Sequence, residues 1–412
     1  MLFHIVLKKL IKIGTLHVID PEGRTRTFSG KPGPEATIRI HDKSQDLKLF
    51  LNPSLGVGEA YMDGKLTIES GGLYNFLDLC TSNVQLMKSE PFEKFKATYL
   101  WPLQRLLQQS NPISRSQKNV AHHYDLSDEL YKTFLDKDMQ YSCGYFETPD
   151  HDLEIAQEHK KRHLAAKLLL KPGMTVLDIG CGWGGLALYL AKHFDVSVTG
   201  LTLSTEQLAV AKSRAKEAGL EDKVTFLLQD YRKIEDKFER IVSVGMFEHV
   251  GASHYKEYFD QVQNLLKDDG VSLIHSIFRS ELPGVTSQWA KKYIFPGGYS
   301  PALSEVMKSI EKTELVVSDM ETLRLHYAET LKSWRIRFIK NWDKVKGIYD
   351  ERFCRMWHFY LAGCEAVFRN ENYMVFQIQL CKKFDTVPMT RDYIFEAENE
   401  VRQKRGHLKT AS

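Results

Sequence analysis

At 412 residues the chain exceeds one average domain, and 43% hydrophobic with 26% charged residues is the composition of a folded globular protein, which excludes disordered and fibrous classes. A formal charge of +3 is too slight an excess to predict a nucleic-acid partner, because phosphate backbones are bound by concentrated basic faces. Six cysteines (Cys80, Cys143, Cys181, Cys354, Cys364, Cys381) stand apart from one another and from paired histidines, so neither a metal site nor a disulfide framework is expected, and a reducing cytoplasm fits.

No apolar run approaches the roughly 20 residues that span a bilayer, and no small-residue cleavage site follows the first apolar stretch, so neither a membrane span nor a secretory leader is expected. The opening segment, residues 1–13, mixes apolar residues with Lys8, Lys9 and Lys12. It reads equally as an amphipathic helix lying on an anionic membrane and as a helix packed on its own domain. From Thr15 to Glu69 short alternating apolar runs separated by Gly, Pro and Asp give strand-and-turn texture, and Leu73–Cys80 and Phe92–Gln109 read as helices. These elements predict a small α+β domain over residues 1–110. The polar stretch around 111–120 has linker composition, which leaves 121–412 as the second domain.

From Met174 onward strands and helices alternate. Thr175–Ile179, Val196–Leu201, Val224–Leu228, Arg240–Val244 and Val271–Ile277 read as strands. Leu186–His193, Thr205–Ala218 with Ser204 as its N-cap, and Tyr255–Leu266 read as helices. The pattern predicts an α/β fold with a doubly wound, mainly parallel sheet. A long helical stretch over Tyr327–Asn370 and a last strand over Tyr373–Leu380 complete the chain.

Gly180, Gly182 and Gly184 follow the first of these strands directly and precede a helix, where missing side chains let the backbone turn sharply and approach a ligand. A nicotinamide-dinucleotide fingerprint would add an acidic residue at the end of the next strand, but that strand ends in Leu201-Thr-Leu-Ser204, so such a cofactor fits poorly. Asp178 precedes the glycines, where a carboxylate either orders the loop amides or meets a cationic ligand. Gln229-Asp-Tyr-Arg232 follows the third strand, at the position of a ligand-lining loop, and Tyr231 is placed to cover a planar base.

Together these features resemble class I methyltransferases that use S-adenosylmethionine. More specific words surround them. Ala121-His-His-Tyr-Asp125, Met139-Gln-Tyr-Ser-Cys-Gly-Tyr145, Leu177-Asp-Ile-Gly-Cys-Gly-Trp-Gly-Gly185, Leu201-Thr-Leu-Ser-Thr-Glu-Gln207 and Val244-Gly-Met-Phe-Glu-His-Val-Gly251 resemble the cyclopropane fatty-acid synthases, including the mycolic-acid enzymes. The resemblance runs from about Val120 to Gln379 in chain order, and Asn52-Pro-Ser-Leu-Gly-Val-Gly-Glu-Ala-Tyr-Met-Asp-Gly64 is similar to the N-terminal domain of the bacterial phospholipid-acting members.

The resemblance implies transfer of a methyl group from S-adenosylmethionine to the cis double bond of an unsaturated acyl chain in a membrane phospholipid. The resulting carbocation then loses a proton to a bound bicarbonate ion, closing a cyclopropane ring. It implies that Tyr141, Ser142, Val176, Leu177, Asp178, Ile179, Gly180, Cys181, Gly182, Trp183, Gly184, Thr202, Leu203, Gln207, Tyr231 and Arg232 hold the cofactor. It assigns Cys143, Glu248, His275, Ile277 (through its main chain) and Tyr327 to the bicarbonate. An ion with both an O–H and acceptor oxygens suits a carboxylate, a phenol, an imidazole and amides. Tyr145, Phe247, Tyr293 and Tyr327 are candidate aromatic faces for the carbocation. Cys364 also matches the family, but no step of the reaction needs a thiolate.

Peripheral contact with the inner face of the membrane follows from the substrate, with the first domain presenting it, and homodimerisation is left open. Phe278-Arg279 departs from the small residue common in the family and bears on acyl-chain fit. The alternative reaction is methyl transfer without ring closure, giving a methyl- or methylene-branched chain.

Overall fold

The computed structural model describes residues 1–87 and 126–410. The helix expected over Phe92–Gln109, the linker at 111–120 and the Ala121–Asp125 motif lie outside the described residues. The chain packs as two compact units. One takes the described part of Met1–Gln108 together with Pro283–Gly298 and Tyr327–Tyr373, and the other takes the described part of Gln109–Leu282 with Tyr299–His326 and Met374–Ser412.

The first unit is built on a four-stranded sheet of order β2-β1-β3-β4, with β1 Ile13–Ile19, β2 Thr25–Ser29, β3 Lys31–Ile40 and β4 Leu66–Ser70. Strand β1 runs antiparallel to β2 and parallel to β3. The period-two alternation seen in the sequence puts Leu16 and Val18 with Ala36, Ile38 and Ile40 on one buried face. Helices α1 (Phe3–Leu10), α2 (Gln45–Leu51), α3 (Pro53–Met62) and α4 (Gly72–Met87) belong to the same unit. Helix α3 opens with Pro53 in its first turn and the Asn52 side chain accepting from the Leu55 N–H. Its Gly58 is obligatory for packing, since a Cβ there would sit 2.4 Å from Trp289 Nε1.

In helix α1 and its C-cap, Phe3, Leu7 and Ile11 are buried in the core of this unit, as the packed-helix reading expects, while Leu2 and Ile5 remain exposed. Lys8 and Lys9 stay on the solvent side.

The second unit holds a seven-stranded sheet of order β10-β11-β9-β8-β5-β6-β7. Its strands are β5 Thr175–Ile179, β6 Ser197–Thr202, β7 Val224–Leu228, β8 Phe238–Val244, β9 Leu266–Arg279, β10 Val316–Leu323 and β11 Tyr373–Cys381. Pairings β5–β6, β6–β7, β5–β8 and β8–β9 are parallel, and β10–β11 is antiparallel. This is the doubly wound architecture that the strand–helix alternation predicts. Chain order reverses beside β5, which has β6 on one side and β8 on the other, so a crevice opens at the carboxyl ends of these strands.

The described helices that shape this end are α5 (Asp128–Lys132), α6 (Leu153–Lys167), α7 (Gly185–Phe194) and α8 (Thr205–Glu217). Ser204 caps α8 as its sequence position indicates, accepting from the Gln207 N–H at 3.3 Å. Two differences from the sequence reading have local causes. The helical stretch Tyr327–Asn370 is three helices, His326–Lys340, Trp342–Ile348 and Glu351–Asn370, the last restarted by Asp350, whose side chain accepts from the Phe353 N–H. Helix α6 has no apolar stripe to announce it, because the face it buries carries Gln157, Lys160, Lys161 and Lys167.

Candidate cofactor and catalytic site

Strand β5 ends with Asp178 and Ile179, and the chain then turns through Gly180, Gly182 and Gly184, all at positive φ, into α7. The N–H groups of Gly180 and Cys181 both donate to the Leu201 carbonyl, which ties the loop to the end of β6. The glycines differ in purpose. A Cβ on Gly184 would meet Phe226 at 2.6 Å, a packing constraint, whereas one on Gly182 would meet nothing within 4 Å, so its bare backbone faces open space.

Around this loop the second unit forms a pocket from residues 139–142, 178–183, 201–203 with Gln207, 229–232, and 244–246 with His249 and Val250. Of the residues that the resemblance assigns to the cofactor, Tyr141, Ser142, Asp178 to Trp183, Thr202, Leu203, Gln207, Tyr231 and Arg232 line it. Val176 and Leu177 lie inside β5 with both side chains in the core, and Gly184 stands behind the loop. Gln140, Gln229, Met246 and His249 also line the pocket, although nothing about them singly marks a ligand contact.

The chemistry of the lining is specific. Asp178 is 1% exposed and its Oδ2 has no hydrogen-bond partner among the described residues. Burial pushes its carboxyl up to about 7. A carboxylate held this way calls for a cation, and the ammonium and sulfonium of S-adenosylmethionine are of that kind. Thr202 Oγ1 donates to Gln207 Oε1 at 3.0 Å, which fixes two polar side chains at the end of β6, where a dinucleotide enzyme would carry an acid. Tyr141 and Trp183 are aromatic residues of the lining, backed by the buried Tyr131, whose ring lies 5.3 and 5.0 Å from theirs. Arg232 is clamped by Asp230 at 2.7 Å and lies over the Tyr231 ring. The residues present therefore fit S-adenosylmethionine.

A second group of polar residues stands at the same edge. The turn after β8 carries Glu248, whose Oε1 accepts from the Ile277 N–H of β9 at 2.7 Å, while its Oε2 has no partner among the described residues. Burial pushes this carboxyl up to about 7 as well. The Ile277 amide is thus given to Glu248. His275, two residues earlier on β9, is buried and held neutral, its pKa well below the usual imidazole value because of burial. Its Nδ1 stands 3.3 Å from the amide nitrogen of Gln377 on β11, and with Nδ1 accepting there, Nε2 carries the ring proton. Gln377 was hidden in the sequence as one polar residue in an apolar strand. Cys143 is buried, with Sγ 3.3 Å from the Gly144 carbonyl.

Tyr327 belongs to the other unit, where its ring meets Trp334 and Phe368 edge-on. Tyr293, also in that unit, donates to Glu59 at 2.8 Å. Phe247 is core, stacked on Tyr255 at 4.4 Å, and Tyr145 is sandwiched between His163 and His326. Phe278 fills the hydrophobic core 5.6 Å from Phe376. Burial pushes the Cys364 thiol up to about 12, which keeps it protonated and unfit as a nucleophile.

The sheet order, the glycine turn and the buried acid beside it define a class I, S-adenosylmethionine-dependent methyltransferase. The family model for mycolic acid cyclopropane synthetase matches residues 112–378, and the chain belongs to that family. It is 40% identical over 347 residues to the cyclopropane-fatty-acyl-phospholipid synthase of Escherichia coli K12, covering 83% of this chain and 87% of the relative. A probable fatty acid methyltransferase of Pseudomonas putida is 34% identical over 380 residues, with 89% and 93% covered. The structure of mycolic acid cyclopropane synthase CmaA1 complexed with SAH and CTAB superposes with a TM-score of 0.62 at 33% identity, covering 66% of this chain and 99% of that one.

Proposed function

We propose that this methyltransferase acts on the cis double bond of an unsaturated acyl chain in a membrane phospholipid and closes a cyclopropane ring, with bicarbonate as the base. The relatives' names support the acyl substrate. The observation that carries the choice of base is Glu248 Oε2, a buried carboxylate oxygen with no hydrogen-bond partner among the described residues, on a carboxyl anchored to Ile277, two positions along β9 from the neutral imidazole of His275. An alkene offers no acidic proton and no hydrogen-bonding handle, so positioning and exclusion of water do most of the work. S-adenosylmethionine supplies an electrophilic methyl group, and bicarbonate a base that is not itself a side chain exposed to alkylation.

The residues present fit that ion. Glu248 Oε2 would accept its O–H, His275 would donate to one of its oxygens, and Cys143 would close the apolar side. Ile277 holds Glu248 through its N–H and so orients the acceptor. Asp178 orients the cationic end of the cofactor, and Gly182 lets the backbone approach it. The N-terminal domain, residues 1–110, presents the lipid at the membrane surface, a role that α1 does not serve through its buried face.

The experiment is turnover on phospholipid vesicles in buffer freed of carbon dioxide. Activity should collapse and return on adding bicarbonate, and Glu248→Gln should remove most of it while S-adenosylmethionine still binds. Undiminished activity without bicarbonate would reject this base. The second reading, methyl transfer without ring closure, is favoured by the Pseudomonas putida relative and uses the same residues.

A further inference from the structure

Helix α6 buries an unusual density of positive charge. Lys160, Lys161, Arg162, His163 and Lys167 are each at most 6% exposed. Four of them have a carboxylate in contact: Lys161 with Asp138, Arg162 with Glu147, His163 with Glu321 and Glu398, and Lys167 with Glu321. Lys160, which is 0% exposed, has no carboxylate within 4.0 Å among the described residues. Its Nζ donates to Gln140 Oε1 at 2.6 Å and to Ser142 Oγ at 2.7 Å, both neutral groups that belong to pocket-lining residues. Removing an ammonium from water costs several kcal/mol, and dipoles alone offset only part of it.

The position of this charge suggests why it is kept. Ser142 adjoins Cys143 in the chain and lies against Gly245, where a Cβ would come within 3.9 Å of Ser142 Cβ, and the Gly245 N–H donates to the His275 carbonyl at 2.9 Å. Lys160 therefore holds the residue next to Cys143, and both Cys143 and His275 lie within range of its charge. Burial lowers its pKa to about 8 against the opposing pull of Asp136 and Asp138, and its charge acts on both Asp178 and His275. The groups placed around the ion, Cys143, Glu248, His275 and Ile277, include no cation and one acid. An anion entering that set needs a positive charge from elsewhere, and in a poorly polarisable interior a charge one layer away is effective.

We propose that Lys160 is the counter-charge of the anionic base, a positioning residue that draws bicarbonate toward Cys143 and His275; this rests on the bicarbonate reading given above. It also holds Ser142 and Gln140 in place, so the test separates the two roles. Full-length Lys160→Gln, Lys160→Met and Lys160→Arg would be compared with wild type by line broadening of ¹³C-bicarbonate, by calorimetric affinity for S-adenosylmethionine, and by the KM for bicarbonate on vesicles.

The neutral variants should bind bicarbonate at least about tenfold more weakly, with cofactor affinity changed by no more than about threefold, and arginine should recover most of the loss. Unchanged bicarbonate binding in Lys160→Gln, or lost cofactor affinity with bicarbonate retained, overturns the proposal, the second result marking Lys160 as a prop of the cofactor wall. If wild type itself shows neither broadening nor bicarbonate-dependent turnover, the reading of the base fails instead. Should neither neutral variant fold, Lys160→Arg decides: with the charge kept, bicarbonate should bind within about threefold of wild type, and a loss of about tenfold or more with cofactor affinity retained overturns the proposal.

Discussion

Asp178 and Glu248 are two carboxyls driven by burial to nearly the same pKa, about 7, and each keeps one oxygen without a hydrogen-bond partner among the described residues. Both bind a proton more tightly folded than unfolded. Each therefore contributes stability that is fully present below its unfolded pKa, near 3.8 or 4.5, and lost as pH rises through about 7. Replacing Glu248 by Gln removes that loss, so E248Q should melt higher than wild type at pH 8 and no higher at pH 4, while turnover falls at least about 100-fold. A melting point at pH 8 equal to or below wild type would contradict the account of Glu248. Asp178 carries the opposite dependence for binding. A cationic ligand favours its ionised form, so affinity for S-adenosylmethionine should weaken by about tenfold per pH unit below 7. D178N should bind weakly at every pH, and a calorimetric series that left wild type and variant with the same slope would remove Asp178 from the cofactor site.

At the scale of elements, the loop between β5 and α7 was legible because its determinants are consecutive: a buried apolar run, an acid, three glycines and a helix. Gly184→Ala would force a side chain both into the left-handed region and onto Phe226, so a loss of about 2–4 kcal/mol in urea unfolding is expected. A cost under about 0.5 kcal/mol would mean the loop relaxes freely. The support of the site was not legible, for a physical reason. The run Lys160-Lys-Arg-His163 reads as a solvated face, and acids outside the helix explain its burial: Asp138 for Lys161, Glu147 for Arg162, and Glu321 and Glu398 for His163, the last two placed by β10 and the helix Asp392–Thr410. The Ile277–Glu248 bond and Gln377 behind His275 are likewise products of strand order, which no local pattern encodes. Helix α1 makes the converse point. Its sequence suits a membrane and a core equally, and neighbours decide. Leu7→Ala should lower stability by about 2–5 kcal/mol and leave vesicle co-sedimentation unchanged. A large loss of vesicle binding with little loss of stability would return α1 to the membrane.

On the scale of the whole molecule, a methyltransferase sheet is combined with a smaller α+β unit, and no described helix is long and apolar enough to cross a membrane. The alternation from β5 onward made the sheet readable in chain order. The edge strand β10, with mixed polar and apolar residues, was not readable. Composition also said little about partners, since the formal net charge of the whole chain is only +3. The central claim is ring closure on an acyl double bond. It is tested most directly by incubating the purified chain with S-adenosylmethionine and vesicles of a monounsaturated phospholipid, then weighing the released fatty acids before and after mild hydrogenation. Ring closure gives an acid heavier by one methylene whose mass hydrogenation leaves unchanged. A product that takes up hydrogen, or one already heavier by two hydrogens, would show a methylene- or methyl-branched chain and contradict it.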